Sequence, residues 1–274
     1  MPIGSLTTRT LKTAGPIQIG LLADFAVYEV DLPLASLTPD FQGKRILHIS
    51  DTHFRDRWCA GYDRALAKIE ELDVDLICFT GDFVEDKFDF REGVATSLRF
   101  ARGLKSRLGT YACLGNHDGD LITPYLIDAG VTMLVGESRR IVGGEGALEI
   151  IGLPGVARDD LSADLLASFG LPPQRTTRIV LSHFPDHVKR LAAIKPHLFL
   201  AGHTHGGQWC LPGGKPLLTH DTLPKKYCAG MTRFDDAEHR TWLHVSRGLG
   251  CSKWNLRLWC PPEMTVIRLL AANV

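Results

Sequence analysis

Five short apolar runs punctuate this chain, and each stops at a side chain able to bind a metal. "KRILHIS" ends at Asp51, "DLICFTG" at Asp82, "TYACLG" at Asn116, "TRIVLS" at His183 and "HLFLAG" at His203. Four to six apolar or β-branched residues in succession, without alternation, mark strands buried on both faces. Helical stripes lie between them. Ala65, Leu66, Ile69 and Leu72 form one; Val94, Leu98, Ala101 and Leu108 form another, with Gly109 as its C-cap. Val188, Leu191 and Ala192 form a third, in a helix opened by Pro185. Alternating strand and helix predicts an α/β class with a largely parallel sheet. Four further runs, "VTMLVG", "LEIIGLP", "RTWLHVSRG" and "EMTVIRLL", predict a second sheet. No linker, repeat or low-complexity tract divides the 274 residues, so one domain is expected. It has a lead-in over 1–43, motifs over 51–205 and C-terminal sheet strands over 240–270.

In open α/β sheets, ligands bind just beyond the carboxyl ends of the strands. "DTH" (Asp51, His53), "GD" (Asp82), "GNHD" (Asn116, His117), "SH" (His183) and "GHTH" (His203, His205) are therefore expected to converge in one crevice. Each motif alone is weak; five in succession, all at strand ends, make a joint signal. The donors are four imidazoles, two carboxylates and an amide. Mixed nitrogen and oxygen ligands suit manganese, iron or zinc better than calcium or magnesium. Seven ligands are too many for one ion and fit two, about 3.5–4 Å apart, with one carboxylate shared. Gly81, Gly115 and Gly202 would let the backbone turn and approach the site closely.

The order D-x-H, G-D, G-N-H-[DE], H, G-H-x-H resembles the calcineurin-like metallophosphoesterases. "LSHFPD" departs from the Gly-His common in that family, but His183 is retained. The tail "HVSRGLGCSKWNLRLWCPPEMTVIRL" is similar to a bacterial branch of small phosphodiesterases, some membrane-associated and one group cleaving UDP-2,3-diacylglucosamine. The resemblance implies two mixed β-sheets packed as a sandwich and flanked by helices. It implies Asp51, His53, Asp82 and His205 on one divalent ion; by the donor types Mn2+ is the first choice, with Fe or Zn as alternatives. Asp82, Asn116, His183 and His203 would hold the second, with Asp82 bridging. His117 would face the substrate and protonate the leaving oxygen or stabilise charge on it. A hydroxide shared between the ions would be the nucleophile.

The implied activity is a phosphodiesterase or pyrophosphatase on a small or lipid-linked substrate such as UDP-2,3-diacylglucosamine. A phosphomonoesterase, or a non-catalytic binding module on the same fold, is the alternative. Lys plus Arg and Asp plus Glu each number 31, so no basic face is implied for a long nucleic acid. Seven cysteines, odd in number and without C-x-x-C spacing, argue against a disulfide framework and suit a reducing cytoplasm. Peripheral contact with the inner membrane is the variant of that localisation. Residues 17–28, "IQIGLLADFAVY", are too short to span a bilayer and are interrupted by Asp24. They read as a strand or hairpin, or as an interfacial contact. Arg55, Arg57 and Arg247 are candidates to hold phosphate. Trp254, Leu256, Leu258 and Trp259 surround Arg257 and read as a core edge, an acyl-chain site or a lipid contact. His48, His187, His197, His220, His239 and His244 read as packing or surface residues, His187 being the nearest to the motifs.

Overall fold

The computed structural model describes residues 6–85, 91–219, 221–235 and 239–272; His220 lies outside them. One sheet has seven strands, in the order Thr7–Lys12, Ala26–Leu34, Glu263–Ala271, Arg45–Ile49, Leu76–Thr80, Thr110–Cys113 and Val131–Met133. The other has six, in the order Gly230–Asp235, Arg240–Val245, Leu198–Ala201, Thr176–Leu181, Ala147–Gly152 and Glu137–Val142. Both are mixed. The motif strands pair in parallel within each sheet. Antiparallel strands close the outer positions of the second sheet.

The layering follows from strand alternation. Ile46, Leu76 and Cys78 of the first sheet meet Ile150, Ile179 and Leu198 of the second, forming the interior of the sandwich. The opposite faces of the strands carry Leu47, Ile77 and Phe79, which pack on Ile69 of helix Ala60–Leu72 and Phe100 of helix Arg91–Gly103. On the second sheet's outer face, Val180, Phe199 and Leu243 pack on Leu166, Val188 and Leu191. Two mixed sheets between helices are thus the architecture that the resemblance implied.

Three expectations are corrected. The five motif strands do not share one sheet: three lie in the first and two in the second. The strands over 131–133 and 263–271 join the first sheet, the latter wedged between Ala26–Leu34 and Arg45–Ile49. Helix Arg91–Gly103 also stops short of Gly109. Leu108 donates to the Asp75 carbonyl and Gly109 accepts from Ile77, so sheet pairing claims this backbone. Third, Pro185–Ala193 winds as a 3-10 helix, with Val188 and Leu191 buried.

Two of the remaining histidines, His48 and His244, are buried packing residues. His48 and His244 meet across the sandwich, Nδ1 to Nδ1 at 2.7 Å, and burial pushes both below the ordinary histidine range. All seven cysteines are free thiols.

Candidate metal centre

The carboxyl ends of the two sheets face each other, and hydrogen bonds between backbone and side chain stitch them together. Thr80 gives its carbonyl to His183 Nδ1 at 2.8 Å, and the backbone N–H of His203 donates to Asp51 Oδ1 at 3.0 Å. Asp51, His53, Asp82, His203 and His205 all have positive φ, between 44° and 70°. Left-handed backbone is uncommon outside glycine and clusters where function requires it. Here it turns each side chain off its strand end into the crevice. The space allows no larger neighbours. A Cβ on Gly202 would lie 2.0 Å from Ser50 Oγ and 2.2 Å from Asp51 Oδ2; on Gly115 it would lie 2.2 Å from Asp82 Oδ1.

Seven side chains from five loops meet there. Asp82 Oδ2 is 3.5 Å from His53 Nε2 and 3.1 Å from His183 Nε2, so one carboxylate oxygen reaches both sides. On the first side, His53 Nε2 and His205 Nε2 stand 3.0 Å apart, with Asp51 Oδ1 3.4 Å from the latter. On the second, His203 Nδ1 is 3.0 Å from Asn116 Oδ1 and 3.2 Å from His183 Nε2. Pairs of ring nitrogens aimed at each other, beside buried carboxylates, are a donor set with the chemistry of a cation site. Asp51 with His53 and His205, and Asp51 with Asp82 and His183, are groups whose ligand atoms could share an ion.

Residues 44–207 match the calcineurin-like phosphoesterase family. The chain belongs to that family. It is 31% identical to the metallophosphoesterase YkuE of Bacillus subtilis, over 87% of this chain and 84% of that one. It is also 31% identical to the phosphodiesterase YaeI of Escherichia coli, over 82% of each. Identity to the UDP-2,3-diacylglucosamine pyrophosphatase LpxG of Chlamydia muridarum is 24%, over 98% of each chain. This calcineurin-like phosphoesterase is accordingly a hydrolase of phosphoester bonds.

The field at its centre favours positive charge. Burial works against the charge on His183, but the Asp82 carboxylate overrides it and lifts the imidazole to about 9. Burial also opposes charge on Asp82, yet His183 and His53 hold that carboxyl far below its ordinary range. A proton on His183 and a cation therefore compete for the same place. The metal affinity of the stripped phosphoesterase is expected to rise with pH up to about 9 and to fall as His183 takes up its proton. For one displaced proton the slope approaches tenfold per pH unit. Calorimetric Mn2+ titrations at pH 8.5 and 6.5 should differ by about 100-fold; equal affinities would remove the competition.

Two contacts were not legible in the motifs. Glu85 Oε2 lies 2.9 Å from His53 Nδ1, off the line of a straight hydrogen bond, and neither atom has another hydrogen-bond partner. A carboxylate behind a ligating imidazole fixes its tautomer and orientation. Asp118, pushed up to about 6 by burial and by Asp82, accepts from the backbone N–H groups of Phe83 and Gly115, each at 2.8 Å. It thereby staples the "GNHD" loop to the "GD" loop. Glu85→Gln is expected to weaken metal binding about 10–100-fold, the usual cost of losing such support. Calorimetry on that variant should show the loss; unchanged affinity would make Glu85 structural only.

His117 stands at the edge of this cluster. Its backbone N–H donates to Asp82 Oδ1 at 2.8 Å, and Nδ1 donates to the Glu85 carbonyl at 2.5 Å. His117 also lines the adjoining cavity, about 390 Å³, with Asp82, Asn116, His203 and His205. None of the three candidate arginines, Arg55, Arg57 and Arg247, is among the residues lining it. Arg55 lies 3.4 Å from Glu85, and Arg247 pairs with the buried Glu263 carboxylate. Lys253 supplies positive charge at the cavity instead, beside Trp254 in the tail motif.

Proposed function

We propose that this phosphoesterase is a dinuclear-metal-dependent phosphodiesterase or pyrophosphatase, working as one domain on a small or lipid-linked substrate. The observation that carries the reading is Asp82 Oδ2 standing within 3.5 Å of an imidazole on each side. Asp51, His53, Asp82 and His205 would hold one cation; Asp82, Asn116, His183 and His203 would hold the other. Mn2+ fits the mixed donors well, with Fe and Zn as the competing choices. When bound, such a pair polarises the phosphoryl group and eases ionisation of the attacking water.

The chain's own groups do the rest. Glu85 and the Thr80 carbonyl orient His53 and His183 through their outer ring nitrogens. His117, held by the Glu85 carbonyl, keeps Nε2 for the leaving oxygen and delivers a proton or steadies charge there. Lys253 meets a phosphate at the cavity wall, while Trp209, Leu217, Leu218 and Trp254 give that wall an apolar side. An apolar wall beside a phosphate site supports a substrate with an aliphatic part, as the pyrophosphatase relative's substrate has. Seven free thiols support a reducing compartment, hence a cytoplasmic enzyme, working at the inner face of the membrane when its substrate is a lipid. Among the described residues no helix is long and apolar enough to cross a membrane.

Turnover with Mn2+ of bis-p-nitrophenyl phosphate against p-nitrophenyl phosphate tests the reading, followed by release of UMP from UDP-2,3-diacylglucosamine. The diester should be cleaved at least tenfold faster; a monoester preference would replace the proposal with a phosphomonoesterase.

A further inference from the structure

One surface of the molecule has its polarity reversed. Ile17–Ile19 and Leu256–Leu258 form a two-stranded antiparallel ribbon outside both main sheets, with Ile19 opposite Leu256, Gln18 opposite Arg257 and Ile17 opposite Leu258. In a water-facing ribbon the alternation puts polar side chains outward and apolar ones inward. Here Gln18 and Arg257 point inward and are buried, while Ile17 and Ile19 are 58% and 73% exposed. The inward face explains itself. The Arg257 guanidinium donates to His205 Nδ1 at 3.0 Å and to the carbonyls of Gly250 and Arg247 at 3.0 and 2.7 Å. No such account covers the outward face, where four aliphatic side chains stand in two cross-strand pairs.

That face continues to the mouth of the catalytic cavity. Trp259 follows the ribbon, its N–H bonded to the Pro16 carbonyl, and is 44% exposed. Trp209 bonds Leu256 through its indole N–H at 2.9 Å and lines the cavity. Leu217 and Leu218, both exposed, line the same cavity, and the Leu217 N–H donates to the Trp209 carbonyl. Exposed lysines border this surface. Lys225 donates to the Pro216 carbonyl next to Leu217, Lys215 pairs with Leu211, and Lys253 precedes the exposed Trp254.

We propose that the ribbon and the cavity rim form a docking surface for a lipid bilayer carrying anionic headgroups. The outward aliphatics and Trp259 enter the headgroup boundary, and the lysines meet the negative charge. Exposed aliphatic and indole side chains bordered by Lys are the composition that lies in a membrane interface. A second copy of the chain docked here would cover the cavity mouth, whereas a bilayer would present a lipid-linked phosphoester to it. The inference rests on the lipid-linked branch of the proposed function, and its test reads binding, not turnover.

The full chain with Mn2+ is sedimented with vesicles of phosphatidylglycerol and phosphatidylethanolamine, and with vesicles of phosphatidylcholine alone. The double variant Ile17→Ser/Ile19→Ser is run beside it. The wild type should pellet with the anionic vesicles, release as salt is raised, and bind phosphatidylcholine at least tenfold more weakly. The double variant should lose at least tenfold in partitioning while cleaving bis-p-nitrophenyl phosphate within twofold of wild type. A wild type that stays in the supernatant overturns the proposal. So does a double variant that partitions like wild type, or a dimer in gel filtration that the double variant breaks apart. If the diester is not cleaved yet the vesicles are bound, the catalytic reading falls and the docking surface stands.

Discussion

Asp82→Asn is expected to lower kcat/KM on a diester by about 10³-fold or more, about 4 kcal/mol of transition-state stabilisation. The substitution is nearly isosteric, so the fold should tolerate its volume. The amide can still accept the His117 backbone N–H through the Oδ1 position. Its NH2 group must then take the place of Oδ2, where it faces His53 Nε2 and His183 Nε2 at 3.5 and 3.1 Å. A donor replaces the acceptor that both groups of candidate ligands share, and one of the two carboxylate charges among them disappears. Steady-state kinetics with elemental analysis checks this: bound metal should fall from two ions per chain to one or fewer. Near-normal turnover with full metal content would mean that the shared carboxylate is not the centre of the site.

His117→Ala should separate chemistry from metal binding. Its contact to Asp82 runs through the backbone N–H, which alanine keeps, so metal content and affinity should stay within a fewfold of wild type. What is lost is the ring, which bonds the Glu85 carbonyl through Nδ1 and lines the cavity. Removing a positioned proton donor costs about 10²–10⁴-fold, and the loss should fall on kcat with little change in KM. A substrate whose leaving group needs no proton, such as a p-nitrophenolate ester, should suffer least. Loss of metal instead would reassign His117 as a ligand.

The donors themselves were legible in the sequence because the signal is local. A strand buried on both faces has to be an apolar run, and the residue that ends it has to sit at the sheet's carboxyl edge. Asp51, Asp82, Asn116, His183 and His203 were found by that rule, and the structure brings them, with His53 and His205, within hydrogen-bonding or ion-pair distance of one another. The role of Gly115 and Gly202 followed as well, since small residues beside polar ones at a strand end announce a close approach. Glu85 carried no such mark: it follows the "GDFV" run by sequence, but only the fold sets it behind His53. By sequence Arg247 is a candidate phosphate ligand, but the fold pairs it with Glu263, sixteen residues on.

By itself, the sequence determined which side chains end the strands and what metal chemistry they can support, because burial and periodicity are properties of a few adjacent residues. Only the tertiary structure decided which sheet each strand entered, that five of the candidate ligand residues take left-handed backbone, and that residues 17–19 lie against 256–258 with their aliphatics outward. Those outcomes are set by pairing between segments up to about 240 residues apart. Competing pairings differ in energy through the whole core, so no local window of the chain contains the choice.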